Sequence, residues 1–412
     1  MEFLPRTLGT RPRLACEVRA EGVVAARAED ASGRLSAVAR VNLAEGVAVP
    51  RLRVGDAAGA VPSSNVATNG ASGGAGVGAA GRVEVVAAVR KALEAVYLRT
   101  REVTLVVPDA AVRVLLLEFD ALPGKTVEAL AVVRFRLKKL LPFDADDAAV
   151  SYQVMAASKD AVQVVAVAMP REVLADYERV VREAGFEPGA VLPSTLAALA
   201  GLDEGERPML VVNAGREGVT TAIVRAGVVL LHRSVDLRAD PRADLGADLR
   251  AGQASDQMAL VDRDSSAEEW ARQEPVGFGG AGGAGDAGDA GGLIAAAAGM
   301  QTAVLVQAMV SQRNVVAVAS EVAQAVSVAA AYFEDTLETA PEFVLTAGTL
   351  GAEALAGLLE EAGVKMGPVP VREMAGRDVV DREMLAAGAA STGLPGGIPP
   401  GWLAGVRGAL KN

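Results

Sequence analysis

The sequence predicts an α/β protein of more than one domain, and three observations carry that prediction. Of 412 residues, 51% are hydrophobic but only 3% aromatic, so the core has to be packed from Val, Leu and Ala on long helices and buried strands. Short apolar runs bounded by Gly, Pro and Asp alternate with segments whose apolar residues recur every third or fourth position, the periods of strand and helix. At roughly 150 residues per domain the length corresponds to about two to four units.

Taken in order, Arg13 to Ala28 reads as two strands around a turn at Glu21-Gly22, and Val83 to Arg99 as a helix. Glu102 to Val107 and Val112 to Phe119 are strands separated by Pro108-Asp109. Val127 to Leu141 is a helix, because Leu130, Val133, Leu137 and Leu140 share one face. Ala149 to Met155 and Ala161 to Ala168 are strands, and Arg171 to Ala184 is a helix on the spacing of Leu174, Tyr177, Val181 and Ala184. Met209 to Val212, Thr221 to Val224 and Val228 to His232 form a meander whose first turn runs from Asn213 through Gly215 to Gly218. Val315, Val318, Val322, Ala325, Ala329 and Tyr332 keep helical spacing. The strand Phe343 to Thr346, a turn at Gly348 and the helix of Leu355, Leu358, Leu359 and Ala362 follow.

Two stretches break the pattern: Gly55 to Gly81, rich in Gly, Ala, Ser and Asn, and Asp240 to Gly292. The second ends in a run of little but Gly, Ala and Asp, which cannot bury enough apolar surface to offset its ordering entropy, so both read as solvated loops.

The formal charge of −11, from 51 acidic and 40 basic residues, repels phosphate backbones and argues against nucleic acid as a partner. One cysteine, Cys16, cannot form an internal disulfide, and with one histidine, His232, it cannot build a Cys/His zinc site. Met1 to Arg11 has no apolar core of signal-peptide length, so a cytoplasmic protein is expected. Gly291 to Gln312 is uncharged and long enough to cross a bilayer, but its glycines, alanines and glutamines suit a buried helix better.

No constellation reads as catalytic or as a metal site. His232 has no G-x-S-x-G elbow to serve. Asp144, Asp146 and Asp147 fit no calcium loop. Arg134, Arg136, Lys138 and Lys139 gather at the C-terminal end of their helix, where cations suit the dipole. Pro399 to Asn412 places Trp402, Leu403, Val406 and Leu410 at near-helical spacing, but Gly401, Gly405 and Gly408 weaken a helix there, so a docked or frayed terminus is expected over a membrane contact.

Three stretches carry a resemblance that covers most of the chain. They are Leu140-Leu141-Pro142-Phe143-Asp144-Ala145-Asp146 leading to Tyr152-Gln153-Val154, the hairpin Val212-Asn213-Ala214-Gly215 to Ile223-Val224, and Val344-Leu345-Thr346-Ala347-Gly348. On these the chain resembles the PilM-type proteins of type IV pilus assembly, within the actin-like ATPase superfamily and related to FtsA. The resemblance implies an actin-like two-lobed fold, with duplicated ribonuclease-H-like lobes and a small inserted α+β domain. It divides the chain into a first lobe over 1–103 carrying the loop 55–81, the inserted domain over 104–184, and a return to the first lobe over 185–207. A second lobe then spans 208–366 with a flexible insertion at 240–292, and 367–412 returns to the first lobe and ends in a tail.

In that superfamily ATP lies between the lobes, its phosphates on two glycine-bearing hairpins and its adenosine near a glycine turn, with an aspartate in each hairpin handling magnesium. The matching positions here depart from the pattern. Glu17 stands for the first aspartate, Arg19 for a glycine, and Asn213 for the second aspartate; Gly215 and Gly348 are kept, but Gly348 lies between Ala347 and Thr349 without a glycine cluster. The resemblance therefore implies a degenerate nucleotide site at Glu17, Arg19, Asn213, Gly215 and Gly348, leaves ATP and magnesium as open cofactors, and predicts no enzyme activity. Its implied role is a scaffold at the inner face of the inner membrane, holding the cytoplasmic tail of a PilN-like protein and reaching the membrane through partners. The residues expected to form the groove for that tail are Arg134, Leu137, Lys138, Leu141, Pro142 and Phe143. The alternatives are an active ATP-binding ATPase and a membrane-attached cell-division or type II secretion scaffold, and self-association is left open.

Overall fold

Strand β1 (Leu14–Arg19) is buried along its whole length and forms the centre of a five-stranded sheet. It turns through Ala20-Glu21 into β2 (Gly22–Ala28), which pairs with it antiparallel, and β3 (Leu35–Asn42) continues the meander. On the other side β4 (Glu102–Val107) and β8 (Glu187–Pro193) add in parallel, giving the order β3-β2-β1-β4-β8. Parallel strands need long crossovers, and helices supply them. This computed structural model describes residues 12–30, 33–52, 79–202, 205–237, 318–364, 369–374 and 398–411. All of these except 318–320 belong to one unit made of 1–237 with 321–412; the other unit is 238–320.

A second sheet repeats the first in order and sense. Strands β9 (Met209–Ala214), β10 (Gly218–Arg225) and β11 (Val228–Asp236) form the antiparallel meander, and β12 (Val344–Gly348) and β13 (Val371–Glu373) add in parallel, in the order β11-β10-β9-β12-β13. A third, antiparallel sheet of order β5-β7-β6 is built from β5 (Arg113–Phe119), β6 (Ala148–Ala157) and β7 (Val162–Pro170).

Helix α1 (Ala79–Glu94) buries Val85, Val89, Ala92 and Leu93 at helical spacing against Cys16, Val18 and Val23 of the first sheet. Helix α3 (Arg171–Glu183) joins the same core through Tyr177, Val180 and Val181, and the Tyr177 hydroxyl donates to the Pro50 carbonyl at 2.7 Å. Helix α2 (Thr126–Leu137) covers one face of the third sheet, packing Val133 and Leu137 against Leu117, Val164 and Ala166. Helix α4 (Ser194–Ala200) is buried from Ser194 to Leu199, a helix over 318–337 (α5) buries Val322, Val326, Ala329 and Phe333, and α6 (Ala352–Glu361) buries Leu355 and Leu359. The last helix, α7 (Leu403–Leu410), packs on the opposite face of the first sheet from α1, with Trp402, Leu403, Val406 and Leu410 against Ala15, Val24 and Ala26.

Several expectations change. Helix α2 stops at Leu137 rather than Leu141, so Leu140 is exposed; the backbone before Pro142 is steered out of the helical region. The loop expected through Gly81 gives way to α1 from Ala79, and the rest of that loop, like the insertion 240–292 and Gly291 to Gln312, lies outside the described residues. Within the range 104–184 that the resemblance assigns to an inserted domain, Thr104 to Val107 pairs in the first sheet and α3 packs into its core. Strand β13, expected to return to the first lobe, pairs with β12 in the second sheet. Strand β8 was unforeseen because Pro188, Gly189 and Pro193 read as loop; an edge strand tolerates a missing N–H. The apolar side chains of the C-terminal segment are core, which leaves none of them for a lipid contact.

Candidate functional site

The turn after β1 and the turn after β9 face each other, and the five residues expected at a degenerate nucleotide site meet there. Alternation along β1 sends Glu17 and Arg19 to the face opposite Cys16 and Val18. Arg19 Nε donates to Glu17 Oε1 at 2.7 Å, and its Nη2 donates to Ser194 Oγ and, at 2.8 Å, to Asn213 Oδ1. Register places Asn213 of β9 beside Ala347 of β12, and Gly348 beside Ala214. Gly348 has φ +86°, and a side chain there would collide with the Ala214 carbonyl and stand 2.6 Å from Asn213 Oδ1. At Gly215 a Cβ would lie 2.8 Å from Glu21 Oε1.

Three residues complete the network that sequence reasoning missed. Asn213 Nδ2 donates to Thr195 Oγ1 at 2.9 Å, to Ser194 Oγ at 3.0 Å and to Asp109 Oδ2 at 3.3 Å. The Thr195 hydroxyl and its backbone N–H both donate to Asp109, and Ser194 Oγ donates to Glu17 Oε1 at 2.7 Å. Glu17, Arg19, Asp109, Ser194, Thr195 and Asn213 are all buried. The only signals for the additions are Pro108-Asp109 and Pro193-Ser194-Thr195, polar residues directly after apolar strands; reading the first as a plain turn hid its role.

Burial opposes the charge on Arg19, but Glu17, Glu21 and Asp109 outweigh it, and the guanidinium pKa is raised. Arg19 therefore stays charged. Glu17 Oε2 is buried without a hydrogen-bond partner and faces Gly405, where a Cβ would lie 2.7 Å away. Magnesium does not fit these side chains. The guanidinium already lies between Glu17 and Asn213, so a divalent cation would meet a fixed positive group, and Asn213 is a neutral amide whose oxygen is taken. Among the described residues no group of three His, Cys, Asp or Glu could hold a metal ion.

Beside this network lies a cavity of about 410 Å³ lined by Arg19, Glu21, Asp109, Arg113 and His232 among others. His232 Nε2 is buried there without a hydrogen-bond partner. Burial lowers its pKa, and Asp109 raises it in part. The imidazole is neutral near pH 7.

A second concavity, a groove of about 340 Å³, runs between the first and third sheets. Two sheet edges border it, β6 and β8, each the last strand in its sheet. Val165, Val167 and Met169 of β7, Leu174 of α3 and Val191 of β8 give it an apolar floor. The residues expected to form a partner groove do not line this concavity. Alternation in the third sheet turns Val164, Ala166 and Ala168 toward α2 and Val165, Val167 and Met169 toward the groove, so α2 is on the other face. Leu137 is core, Leu141 and Phe143 pack against that core, and Pro142 is exposed. Arg134 donates to the Ala145 and Ala148 carbonyls, and Lys138 pairs with Asp146 at 2.6 Å. None of the six lines the groove.

No family model matches the chain, and no curated protein does. Solved structures do. The PilM-PilN type IV pilus biogenesis complex is similar over 98% of this chain and 98% of that chain, with 17% identity and a TM-score of 0.55. The ethanolamine utilization protein EutJ from Carboxydothermus hydrogenoformans matches over 98% and 91%, with 13% identity and a TM-score of 0.39. The cytoplasmic domain of EpsL, an inner membrane component of the type II secretion system of Vibrio cholerae, matches over 54% and 71%, with 13% identity and a TM-score of 0.33. At such identities likeness speaks to fold, and the first match carries it, together with two sheets of the same order and sense. The chain has the α/β actin-like ATPase fold and is similar to PilM along its full length.

Proposed function

We propose that this chain is an adaptor of type IV pilus assembly, holding an extended cytoplasmic segment of a PilN-like inner-membrane protein in the groove between β6 and β8. The observation that carries this reading is the groove itself, an apolar floor between two sheet edges. Edge strands offer unpaired N–H and C=O groups to an added strand, and alternate side chains of that strand find the pockets. PilM, the protein of like fold, is found in complex with PilN. Among the described residues no helix is long and apolar enough to cross a membrane, so in this reading the membrane is reached through the partner.

The adaptor reading requires no reaction, and the cleft supports that. Arg19 fills the position between Glu17 and Asn213 at which the resemblance expects metal and phosphate. The domain division belongs to the same proposal: two lobes of like topology, with the third sheet as the insertion whose join to the first lobe makes the groove.

The test is binding of a labelled peptide carrying the cytoplasmic tail of the organism's PilN-like protein, followed by anisotropy. Val191→Asp and Leu174→Asp, each placing a charge on the groove floor, should weaken binding by about tenfold or more. Arg136→Ala, on the exposed side of α2, should leave it unchanged. A peptide that does not bind, or one released by the α2 change and not by the groove changes, rejects the reading.

A further inference from the structure

The disagreement between this cleft and the nucleotide that its fold implies has a specific form. Glu21 lies in the turn of the first hairpin, and its Oε1 accepts a hydrogen bond from the Thr349 hydroxyl at 2.7 Å and another from the backbone N–H of Arg216. Thr349 follows the Gly348 turn, and Arg216 follows Gly215 in the second hairpin. Both donors come from the second sheet's loops, while Glu21 comes from the first sheet's loop. Backbone N–H groups in a glycine-bearing turn and a neighbouring hydroxyl are the donors that suit an oxyanion. Here a carboxylate of the chain itself takes them.

A short distance away, Arg19 bridges the same two halves, from Glu17 of β1 to Asn213 of β9. We propose that the cleft carries its own charged groups in place of nucleotide, with Arg19, paired to Glu17, as resident cation and Glu21 as resident anion, and that this internal latch holds the two lobes closed without any ligand. Carboxylate and guanidinium cannot diffuse away, so closure does not depend on ATP concentration. A scaffold with such a latch keeps one shape through every energetic state of the cell.

Glycine at 215 is part of the device. A Cβ there would press on Glu21 Oε1 at 2.8 Å and on Arg19 Nη1 at 3.3 Å, so only a bare backbone lets the carboxylate reach the Arg216 N–H. Glu21 is half-buried and Thr349 half-buried, so the latch is also within reach of solvent anions once Glu21 is removed.

The inference rests on the cleft's not taking ATP with magnesium, and is independent of which peptide the groove holds. It is tested on the full chain with Glu21→Ala and Thr349→Val, using amide exchange of the segment containing Arg216, and melting temperature with inorganic phosphate as the probe. The expected result is that Glu21→Ala speeds exchange at Arg216 by about tenfold and acquires a phosphate-dependent rise in melting temperature that the wild type lacks. Thr349→Val should speed exchange by less, because the Arg216 bond remains. Exchange that is the same in wild type and Glu21→Ala overturns the latch, as does a wild type stabilised by phosphate as much as the variant. Failure of the PilN-like peptide to bind, with the exchange result as expected, rejects the adaptor reading and leaves the latch standing.

Discussion

Asn213 is the side chain that joins the halves of the cleft network, because an amide can donate and accept at once. Its oxygen takes the Arg19 guanidinium, and its nitrogen serves Asp109, Ser194 and Thr195. An aspartate in its place would lose every one of those donors and set a second carboxylate against Asp109. His232 makes a separate prediction at this scale. Its pKa is lowered from 6.5 by burial, partly countered by Asp109, in a cavity that also holds Arg113, Arg233 and Asp236. The unfolded chain takes up a proton near pH 6.5 that the folded chain resists, so stability is full above that pH and falls as the pH drops below it. Asp236 has the opposite sign: burial raises its pKa, partly countered by Arg51 and Arg113, and its contribution is lost as the pH rises through the raised value. Because the chain has one histidine, His232→Asn should flatten the fall in denaturation midpoint between about pH 7 and pH 5. Equal slopes for wild type and variant would contradict this assignment.

At the scale of elements, the last helix reverses a propensity argument. Gly401, Gly405 and Gly408 lower the intrinsic stability of α7 and the turn before it. In the folded chain they let that segment approach its neighbours. A Cβ at Gly401 would stand 2.6 Å from Glu373 Oε2 and 2.9 Å from the Thr346 carbonyl, and one at Gly408 would collide with the Ala197 carbonyl of α4. Close packing of α7 on α4 also brings Ala404 against Ala198 and Ala347. Gly408→Ala should therefore cost about 2–3 kcal/mol, measured by urea denaturation. Gly357, in α6, has nothing within 4 Å of a would-be Cβ, so Gly357→Ala should gain about 0.5–1 kcal/mol. A stable Gly408→Ala would show that α7 packs more loosely than described.

For the whole molecule, the relevant fact is that the two sheets share one topology and meet at loops already bonded to each other. ATP with magnesium should leave the melting temperature of the wild type unchanged within about 1 °C, since a ligand that does not bind the native state cannot stabilise it. A rise of several degrees would show that Arg19 and Glu21 yield to nucleotide. The five positions Glu17, Arg19, Asn213, Gly215 and Gly348 could be picked from the sequence through resemblance to a known pattern, and the fold brings them together. Asp109, Ser194 and Thr195 could not, because their partners are many residues distant; Asp109 and Thr195 are 86 positions apart, and Glu21 and Thr349 are 328 apart. The groove was hidden for a related reason. One wall is β8, whose prolines read as loop, and the floor belongs to the face of the third sheet that α2 does not cover.

The sequence by itself determined the α/β class and the order of most strands and helices, because these follow from composition and from periods of two and 3.6 residues that act locally. Tertiary structure alone decided what Arg19, Glu21 and Asn213 bind, why α7 needs its glycines, and which side of the third sheet lies open. Those outcomes depend on contacts between residues distant along the chain, and pairing of that kind leaves no local period to read.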